Sequence, residues 1–249
     1  MNKLFYFIKL LFCFLAHRPI ETIYVNIKLL PLRQALRFPI FVYTKTEFRS
    51  INGKAVIMGK VTPNMIHIGD DTRYPNTNKP LSIWTVNGEI AFAGRINFYQ
   101  GTYVYVAENA RLCFGTNGTF VGSNSKVICR DNITIGNSVE ITWDVQIYDT
   151  SFHYIKKNGE CVEPLTKPIR ICDNSWIGNN STITKGVVIP SFSIIASHSL
   201  VNSNLEKYGS HNFYAGVPAI LKRKGMDRVW DYGEERELDK EYGYVRYKL

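Results

Sequence analysis

The residues best suited to acid–base chemistry are five histidines, because the unperturbed pKa of an imidazole lies near neutrality. They are His17, His67, His153, His198 and His211. His153 follows Asp149 by four residues, at a point where a regular six-residue repeat stops. A carboxylate at this spacing can orient an imidazole that acts as a general base, or it can equally stabilise the loop or bind substrate. A solvated loop histidine without a chemical role has the same signature.

Aliphatic residues recur at every sixth position in two stretches of the chain. They are Ile135, Ile141 and Ile147, and then Ile171, Ile177, Ile183, Ile189, Ile195 and Val201. A six-residue period fits neither a helix nor a simple strand alternation. It predicts short strands joined by tight corners, in which three hexapeptides complete a triangular coil of about 18 residues with the aliphatic side chains stacked inside.

The corners of these coils are predicted three positions after the repeat residues. They are Asn132, Ser138, Asp144, Thr150, Asn174, Asn180, Gly186, Phe192, His198 and Asn204. A corner that folds the chain back within six residues favours a positive φ, which Asn, Asp and Gly adopt most readily. Thr150, Phe192 and His198 fit this expectation less well.

The repeat divides the 249 residues into three parts. We predict an N-terminal helical segment at 1–50, with helices near 4–16 and 20–36. A parallel β-helix follows at 51–205, with an excursion loop at 148–168 and a weakened register before Cys129. The remaining residues, 206–249, form a C-terminal extension with a short helix or tail. The fold class is therefore mainly β.

Composition limits the partners and the compartment. The chain carries 30 basic and 21 acidic residues, a net charge of +9, which suits an anionic partner or is merely a solvated basic surface. Since only this charge favours nucleic acid, no nucleic-acid partner is predicted. The five cysteines are scattered without a C-x-x-C pair. They indicate reduced thiols and a cytoplasmic location.

The apolar run at 4–16 has three interpretations. It is too short to span a bilayer, which takes roughly 18 or more apolar residues. It can be an amphipathic or core helix, a helix lying on a membrane surface, or the apolar region of a signal peptide. No A-x-A cleavage site follows it. A peripheral contact with the inner membrane therefore stays open.

Three stretches in order resemble the O-acetyltransferase branch of the bacterial hexapeptide-repeat acyltransferases, which includes maltose, galactoside, serine and capsular-polysaccharide acetyltransferases. They are ITIGNSVEITWDVQIYDTSFHYI at 133–155, IRICDNSWIGNNSTITKGVVIP at 169–190 and YAGVPAILKRKG at 214–225. The resemblance implies a left-handed parallel β-helix, a handedness that spacing alone cannot give. It also implies a homotrimer with each active site between two protomers.

The resemblance further implies that an acetyl group moves from acetyl-CoA to a hydroxyl group of a sugar or surface-polysaccharide precursor. His153 matches the family's general base, and Asp149 matches the aspartate of its D-x-x-x-H arrangement. Trp143 and Asp144 are expected to line the acceptor pocket, or else to form an outward-facing corner. No metal is expected.

The donor is expected to lie along the later coils. Seven residues are implicated: Gly178, Ala196, Ser197, Gly216, Pro218, Lys222 and Lys224. Small residues let a ligand approach the backbone, and clustered cations complement the phosphates of CoA. The cations can equally be a basic surface run. The chain reads Ala-Ser-His-Ser at 196–199 where the family often has Ala-Gly-Ser. Contacts near the thioester are therefore expected to differ.

Three alternatives remain. A zinc enzyme of the γ-carbonic anhydrase type needs three converging imidazoles, and this chain offers His153 and His198 without an obvious third. A non-catalytic solenoid used for binding or as a scaffold explains the repeat but not the excursion. An N-acyltransferase acting on an amino sugar is the mechanistic neighbour of the favoured reaction.

Overall fold

Three helices open the chain. The computed structural model describes residues 3–71, 80–161 and 163–244. The helices are α1 (Lys3–Ala16), α2 (Pro19–Leu29) and α3 (Leu32–Ala35). Both predicted helical stretches are therefore present. The second is divided at Pro31, which lies between α2 and α3 and has an extended ψ.

Three sheets form the faces of a triangular prism, and successive turns of the chain add strands to them in rotation. The first sheet contains β1 (Ile40–Val42), β4 (Ile66–Asp70), β7 (Ile96–Tyr99), β10 (Phe120–Val121), β13 (Glu140–Ile141), β18 (Trp176–Ile177), β21 (Ser193–Ile195), β23 (Asn212–Gly216) and β24 (Ala219–Lys224). The second contains β2 (Thr46–Ser50), β5 (Ser82–Val86), β8 (Tyr103–Val106), β11 (Lys126–Cys129), β14 (Gln146–Tyr148), β19 (Thr182–Thr184) and β22 (Leu200–Val201). The third contains β3 (Lys54–Ile57), β6 (Glu89–Phe92), β9 (Arg111–Phe114), β12 (Asn132–Ile135), β17 (Ile169–Ile171) and β20 (Val188–Ile189). Within these sheets the pairing is parallel except between β23 and β24.

The aliphatic repeat forms the interior columns of the prism. In the first sheet Ile141 is paired with Ile177, and Ile177 with Ile195. The corresponding columns in the other sheets are Ile147, Ile183 and Val201, and Ile135, Ile171 and Ile189. All nine side chains are buried. The predicted triangular coil is confirmed, because each aliphatic side chain lies on the equivalent residue of the neighbouring coil.

Aromatic side chains fill the earlier coils. Phe98 contacts Trp84 and Phe114 with ring centroids 4.8 and 5.1 Å apart, in edge-to-face arrangements that aromatic pairs favour. Phe92 stacks on Phe114 at 6.0 Å. These rings occupy the positions that Ile and Val hold in the later coils, so the hexapeptide pattern loses its uniform residue type there.

One face of α2 covers the exposed edge of β1. The side chain of Asn26 donates to the Ile40 carbonyl oxygen at 2.7 Å and accepts the Ile40 N–H at 3.2 Å. The Thr22 hydroxyl accepts the Val42 N–H at 3.0 Å. Val25 joins the hydrophobic core. The backbone groups of this edge strand are thereby satisfied, which protects the sheet from pairing with another chain.

The strands of the prism extend beyond the predicted span of 51–205. They begin with β1 and β2, inside the segment predicted to be helical, and end with the β23–β24 hairpin. A C-terminal helix, α4 (Tyr232–Glu241), follows and is capped by the Asp231 carboxylate, which accepts the Glu234 N–H at 2.8 Å. Among the described residues, no helix is long and apolar enough to span a membrane.

Candidate active site

The chain leaves the prism between β14 and β17 and forms a β-hairpin. Its base is closed by two backbone bonds, from the Ser151 N–H to the Leu165 carbonyl and from the Lys167 N–H to the Asp149 carbonyl. Its outer part pairs β15 (Lys156–Lys157) with β16 (Glu160–Cys161) in antiparallel fashion. Asn158 and Gly159 join these strands with φ of 52° and 88°, as an Asn-Gly hairpin turn requires. The excursion loop predicted at 148–168 is therefore a projecting hairpin.

His153 lies exposed in a tight turn at the base of this hairpin. Its N–H donates to the Ser151 carbonyl at 2.7 Å, and the Ser151 hydroxyl donates to the His153 carbonyl at 2.9 Å. Phe152 between them has a φ of 60°. These bonds hold the backbone of the turn, while the imidazole makes no hydrogen bond to any described residue. The ring nitrogens are therefore available to a ligand.

Lys185, on the next coil, holds the base of the hairpin. Its Nζ donates to the Pro164 carbonyl at 2.7 Å and to the Ser151 hydroxyl at 3.1 Å, and it lies 3.2 Å from the Glu163 carboxylate. Its side chain is only 12 % exposed. The hydrogen bond from Lys185, helped by the charge of Lys167, lowers the pKa of Glu163. No sequence motif indicates this contact.

Asp149 is fully buried and does not contact the imidazole. Its two carboxylate oxygens accept the N–H groups of Arg130 and Asp131, on the corner of the preceding coil, each at 2.8 Å. Burial raises the pKa of Asp149, and these backbone hydrogen bonds oppose the rise. The expectation that Asp149 orients the ring is not met in this structure. The geometry favours the alternative in which it stabilises the start of the loop.

A second group of predicted residues lies at the corner between the first and second sheets. Trp143 and Asp144 form this corner on one coil, and the Trp143 carbonyl accepts the Asn180 N–H of the next coil at 3.3 Å. The Asn179 carbonyl in turn accepts the His198 N–H at 2.9 Å. Trp143 is 45 % exposed. The corner residues therefore stack into one edge of the prism.

Gly178 has a structural reason to be glycine. A Cβ at this position would lie 2.5 Å from the nitrogen of Ser197 and 2.8 Å from the carbonyl carbon of Ala196. The space beside its Cα is therefore filled by the next coil. Packing of the coils is thus one reason for glycine here, and the expectation that its small size also serves the close approach of a ligand stays a prediction.

The first sheet ends in the β23–β24 hairpin, whose turn lies at the same edge and whose cations lie toward the other end of the strand pair. Gly216 has a φ of 114°, and its N–H donates to the Ser199 hydroxyl at 3.3 Å. Val217 and Pro218 form the exposed turn between β23 and β24. Lys222, Arg223 and Lys224 follow on β24, all exposed and without an ion pair to any described residue. This strand thus offers unneutralised positive charge.

The predicted residues are consequently spread over one protomer. The hairpin with His153 leaves at the corner between the second and third sheets, whereas Trp143, Asp144, Gly178, Ala196, Ser197, Gly216 and Pro218 lie at the corner between the first and second. Lys222 and Lys224 lie farther back along the first sheet, where Lys224 pairs with Asn212 at the start of β23. No described contact joins His153 to the second group. His198 belongs to that second edge, so the two histidines of the zinc alternative lie apart. Among the described residues, no group of three or more His, Cys, Asp or Glu could hold a metal ion.

Comparison with known proteins gives the following matches. No family model matches the chain. Galactoside O-acetyltransferase of Escherichia coli (strain K12) is 30% identical over 149 residues, 59% of this chain and 65% of that protein. An uncharacterized 24.8 kDa protein in the cps region of Klebsiella pneumoniae is 29% identical over 203 residues, 80% of this chain and 86% of that protein. The match thus spans just under two thirds of the galactoside O-acetyltransferase.

A solved structure settles the fold. The polySia-specific acetyltransferase NeuO superposes with a TM-score of 0.53 and 18% identity, covering 84% of this chain and 88% of that chain. The resemblance to the hexapeptide-repeat acyltransferases is confirmed. The prism is accordingly a left-handed parallel β-helix with N-terminal helices and a short C-terminal helix, as predicted.

Proposed function

We propose that this hexapeptide-repeat protein transfers an acetyl group from acetyl-CoA to a hydroxyl group of a sugar or surface-polysaccharide precursor. The observation that carries the proposal is the hairpin at 149–168. Lys185 of the next coil holds its stem, and its exposed imidazole makes no hydrogen bond within the described part of the chain. A scaffold protein has no need of this arrangement. The sequence match to a galactoside O-acetyltransferase supports the reaction class.

His153 acts as the general base in this proposal. Its ring accepts the proton of the acceptor hydroxyl as that oxygen attacks the acetyl carbonyl. A tetrahedral intermediate forms and collapses with cleavage of the carbon–sulfur bond. The protonated imidazole then returns the proton to the departing thiolate, so that free CoA and the acetyl ester leave and the enzyme is unchanged.

The edge with Trp143 and the terminal hairpin binds the two substrates. Lys222 and Lys224 neutralise the phosphates of the donor, since exposed cations without carboxylate partners are a natural complement to phosphate. Gly216 and Pro218 shape the turn beside them. Ala196 and Ser197 flank the acyl-bearing arm, while Trp143 and Asp144 contact the acceptor. Gly178 contributes by allowing the coils to stack closely.

His153 and the edge with Trp143 lie at opposite borders of the second sheet. In this proposal, the complete site therefore needs two protomers. A homotrimer of prisms places the hairpin of one chain beside the substrate edge of its neighbour. The reaction takes place in the cytoplasm in this proposal, which agrees with five cysteines that are all free thiols. No metal takes part.

The proposal is tested by measuring the free thiol released from acetyl-CoA in the presence of galactosides, maltose, nucleotide sugars and an amino sugar. Wild-type protein should release thiol with a hydroxyl acceptor, and His153→Ala should lower turnover by roughly 10²–10⁴-fold. Circular dichroism should show an unchanged fold, because His153 is exposed. Wild-type turnover in His153→Ala would falsify its role as base. Turnover only with the amino sugar would identify an N-acyltransferase instead.

A further inference from the structure

The three N-terminal helices expose apolar stripes at helical spacing. On α1 the exposed residues are Ile8, Leu11, Phe12 and Leu15, on α2 they are Ile20, Ile23, Tyr24 and Ile27, and Leu32 and Leu36 follow on α3 and its C-cap. The first two sets share the spacing i, i+3, i+4, i+7, which places their members on one face of each helix. We call these ten residues the apolar helical surface.

The stripe on α2 is unusual because it lies opposite a face that is already buried. Thr22, Val25, Asn26 and Leu29 form the buried face against the prism. A helix on the surface of a water-soluble protein normally carries polar residues on its outer face. Here the outer face has Ile20 at 79 % exposure and Ile27 at 59 %. A surface this apolar indicates a partner.

The stripes join into one surface. A groove of about 760 Å³ is lined by Leu11 and Phe14 of α1, Ile23 of α2, and Leu36. Ile23 also belongs to the α2 stripe, so the groove connects the three helices. Exposed apolar patches of this extent mark sites of protein or membrane contact.

Positive charge surrounds the apolar helical surface. Residues 1–37 contain six basic residues and one acidic residue, Glu21, a net of +5 out of the +9 of the whole chain. Five cations on or beside the helices make no ion pair with a described residue: Lys9, Lys28, Arg33, Arg37 and Lys60. Arg37 and Lys60 also line the groove. The complement of this surface is therefore apolar at its centre and anionic around it.

We propose that the apolar helical surface binds the surface of an anionic lipid bilayer, with the helices lying in the interface. The ten apolar side chains would contact the lipid chains, and anionic headgroups would neutralise the surrounding cations. α1 has 14 residues and rises about 21 Å, so it can lie in the interface but not cross a hydrocarbon core of about 30 Å.

A second copy of the chain fits this surface less well. Two such surfaces in contact would bring their uncompensated cations together, and like charges across an interface oppose association. Anionic lipid has the opposite sign. The charge of the surface thus selects the bilayer over another protomer.

Bilayer binding leaves the reaction site in water. The hairpin with His153 follows β14, which is four strand spacings, about 19 Å, from β2 of the first coil. Membrane binding and acetyl transfer are therefore separable properties, and each can be measured without the other.

The test is flotation of the full chain with vesicles of phosphatidylcholine alone or mixed with phosphatidylglycerol, without acetyl-CoA. Wild-type protein should float with the mixed vesicles and partition roughly tenfold less into the neutral ones. High salt should weaken the binding, because the Debye length shortens. A wild-type chain that stays unbound in low salt overturns the proposal.

Two triple variants remove equal numbers of exposed apolar side chains. Phe12→Ser, Ile20→Ser and Ile27→Ser change the apolar helical surface and should abolish flotation. Tyr232→Ser, Tyr242→Ser and Tyr244→Ser, at exposed sites on and after α4, should leave it intact. Both variants should keep the acetyl-transfer rate with a soluble acceptor. Equal flotation of the two variants rejects the proposal. A drop in oligomer mass with unchanged flotation in the first variant shows an interface between copies instead.

Discussion

At the scale of single residues, Lys185 is the group that fixes the hairpin. Its Nζ contacts Ser151, Pro164 and Glu163, while His153 itself is held only through the backbone of its turn. Lys185→Met should loosen the stem of the hairpin and lower kcat roughly tenfold. A general base that is displaced by about 1 Å from its productive position lowers the rate of the chemical step. The KM for acetyl-CoA should not change, since the donor edge is untouched. Steady-state kinetics measure both.

Two further variants separate positioning from general damage. Lys185→Arg keeps the charge and the donors, so it should recover much of the lost kcat. Lys54→Met removes another ion pair, with Glu89, that lies at the far end of the third sheet on β3, away from the hairpin. It should leave kcat unchanged. Equal losses in Lys185→Met and Lys54→Met would show that Lys185 merely stabilises the fold.

Single-residue contacts explain why part of the site could not be predicted. His153 could be proposed from the sequence because it follows the end of a repeat and because its flanking motifs resemble a known family. Lys185 contacts Ser151 across 34 residues, and Asp149 contacts the Arg130 N–H across 19. Such contacts depend on how coils stack on one another. No local pattern of residue types specifies them.

At the scale of elements, the corners were better predicted than their residue types suggested. Ser138, Asp144, Asn174, Asn180 and Gly186 all have positive φ, as expected. Asn132, Thr150 and Asn204 do not, and Asn132 instead begins β12. Phe192 and His198 have it too, each with a φ of 58°. The ring of Phe192 stacks on that of His211 at 4.6 Å, which stabilises a conformation that its type disfavours.

The extent of the β-helix was less predictable than its existence. The six-residue period identifies coils only where the corners are short, as they are after Cys129 except at the projecting hairpin. Between β4 and β5 the chain runs from Asp71 to Leu81 before the next strand begins, and such an insertion hides the phase. β1 and β2 were not predicted as strands for the same reason, because too few residues precede that insertion to establish a period.

The terminal hairpin carries an element-scale prediction. Lys222→Glu together with Lys224→Glu should raise the KM for acetyl-CoA roughly tenfold, since two cations facing phosphate become anions. The KM for acetyl-pantetheine, which lacks those phosphates, should stay the same. Lys207→Glu with Lys240→Glu makes the same change of charge at other exposed positions and should affect neither KM. A rise with both thioesters would instead indicate a distorted edge.

At the scale of the whole molecule, two edges of one prism carry the two halves of the proposed site. If each site joins the hairpin of one protomer to the substrate edge of its neighbour, two impaired variants can restore one another. His153→Ala retains an intact substrate edge, and the variant with Lys222→Glu and Lys224→Glu retains an intact hairpin. When the two variants are co-expressed in equal amounts, each interface of a closed ring pairs two chains at random. About a quarter of the interfaces should then join an intact hairpin to an intact substrate edge.

The measurement is thiol release at an acetyl-CoA concentration well below the KM of the charge-reversed variant, with trimer mass checked by light scattering. The co-expressed population should show about a quarter of wild-type activity, because about three quarters of its trimers are mixed and each mixed trimer has one complete site of three. The separately purified variants, combined without subunit exchange, should show only the low activity of the charge-reversed variant. A site contained within one protomer cannot be restored, because every chain would then lack one half of it. Absence of recovery in mixed trimers would therefore place His153 and the cationic strand in one chain's site. The hairpin would then have to reach across the second sheet.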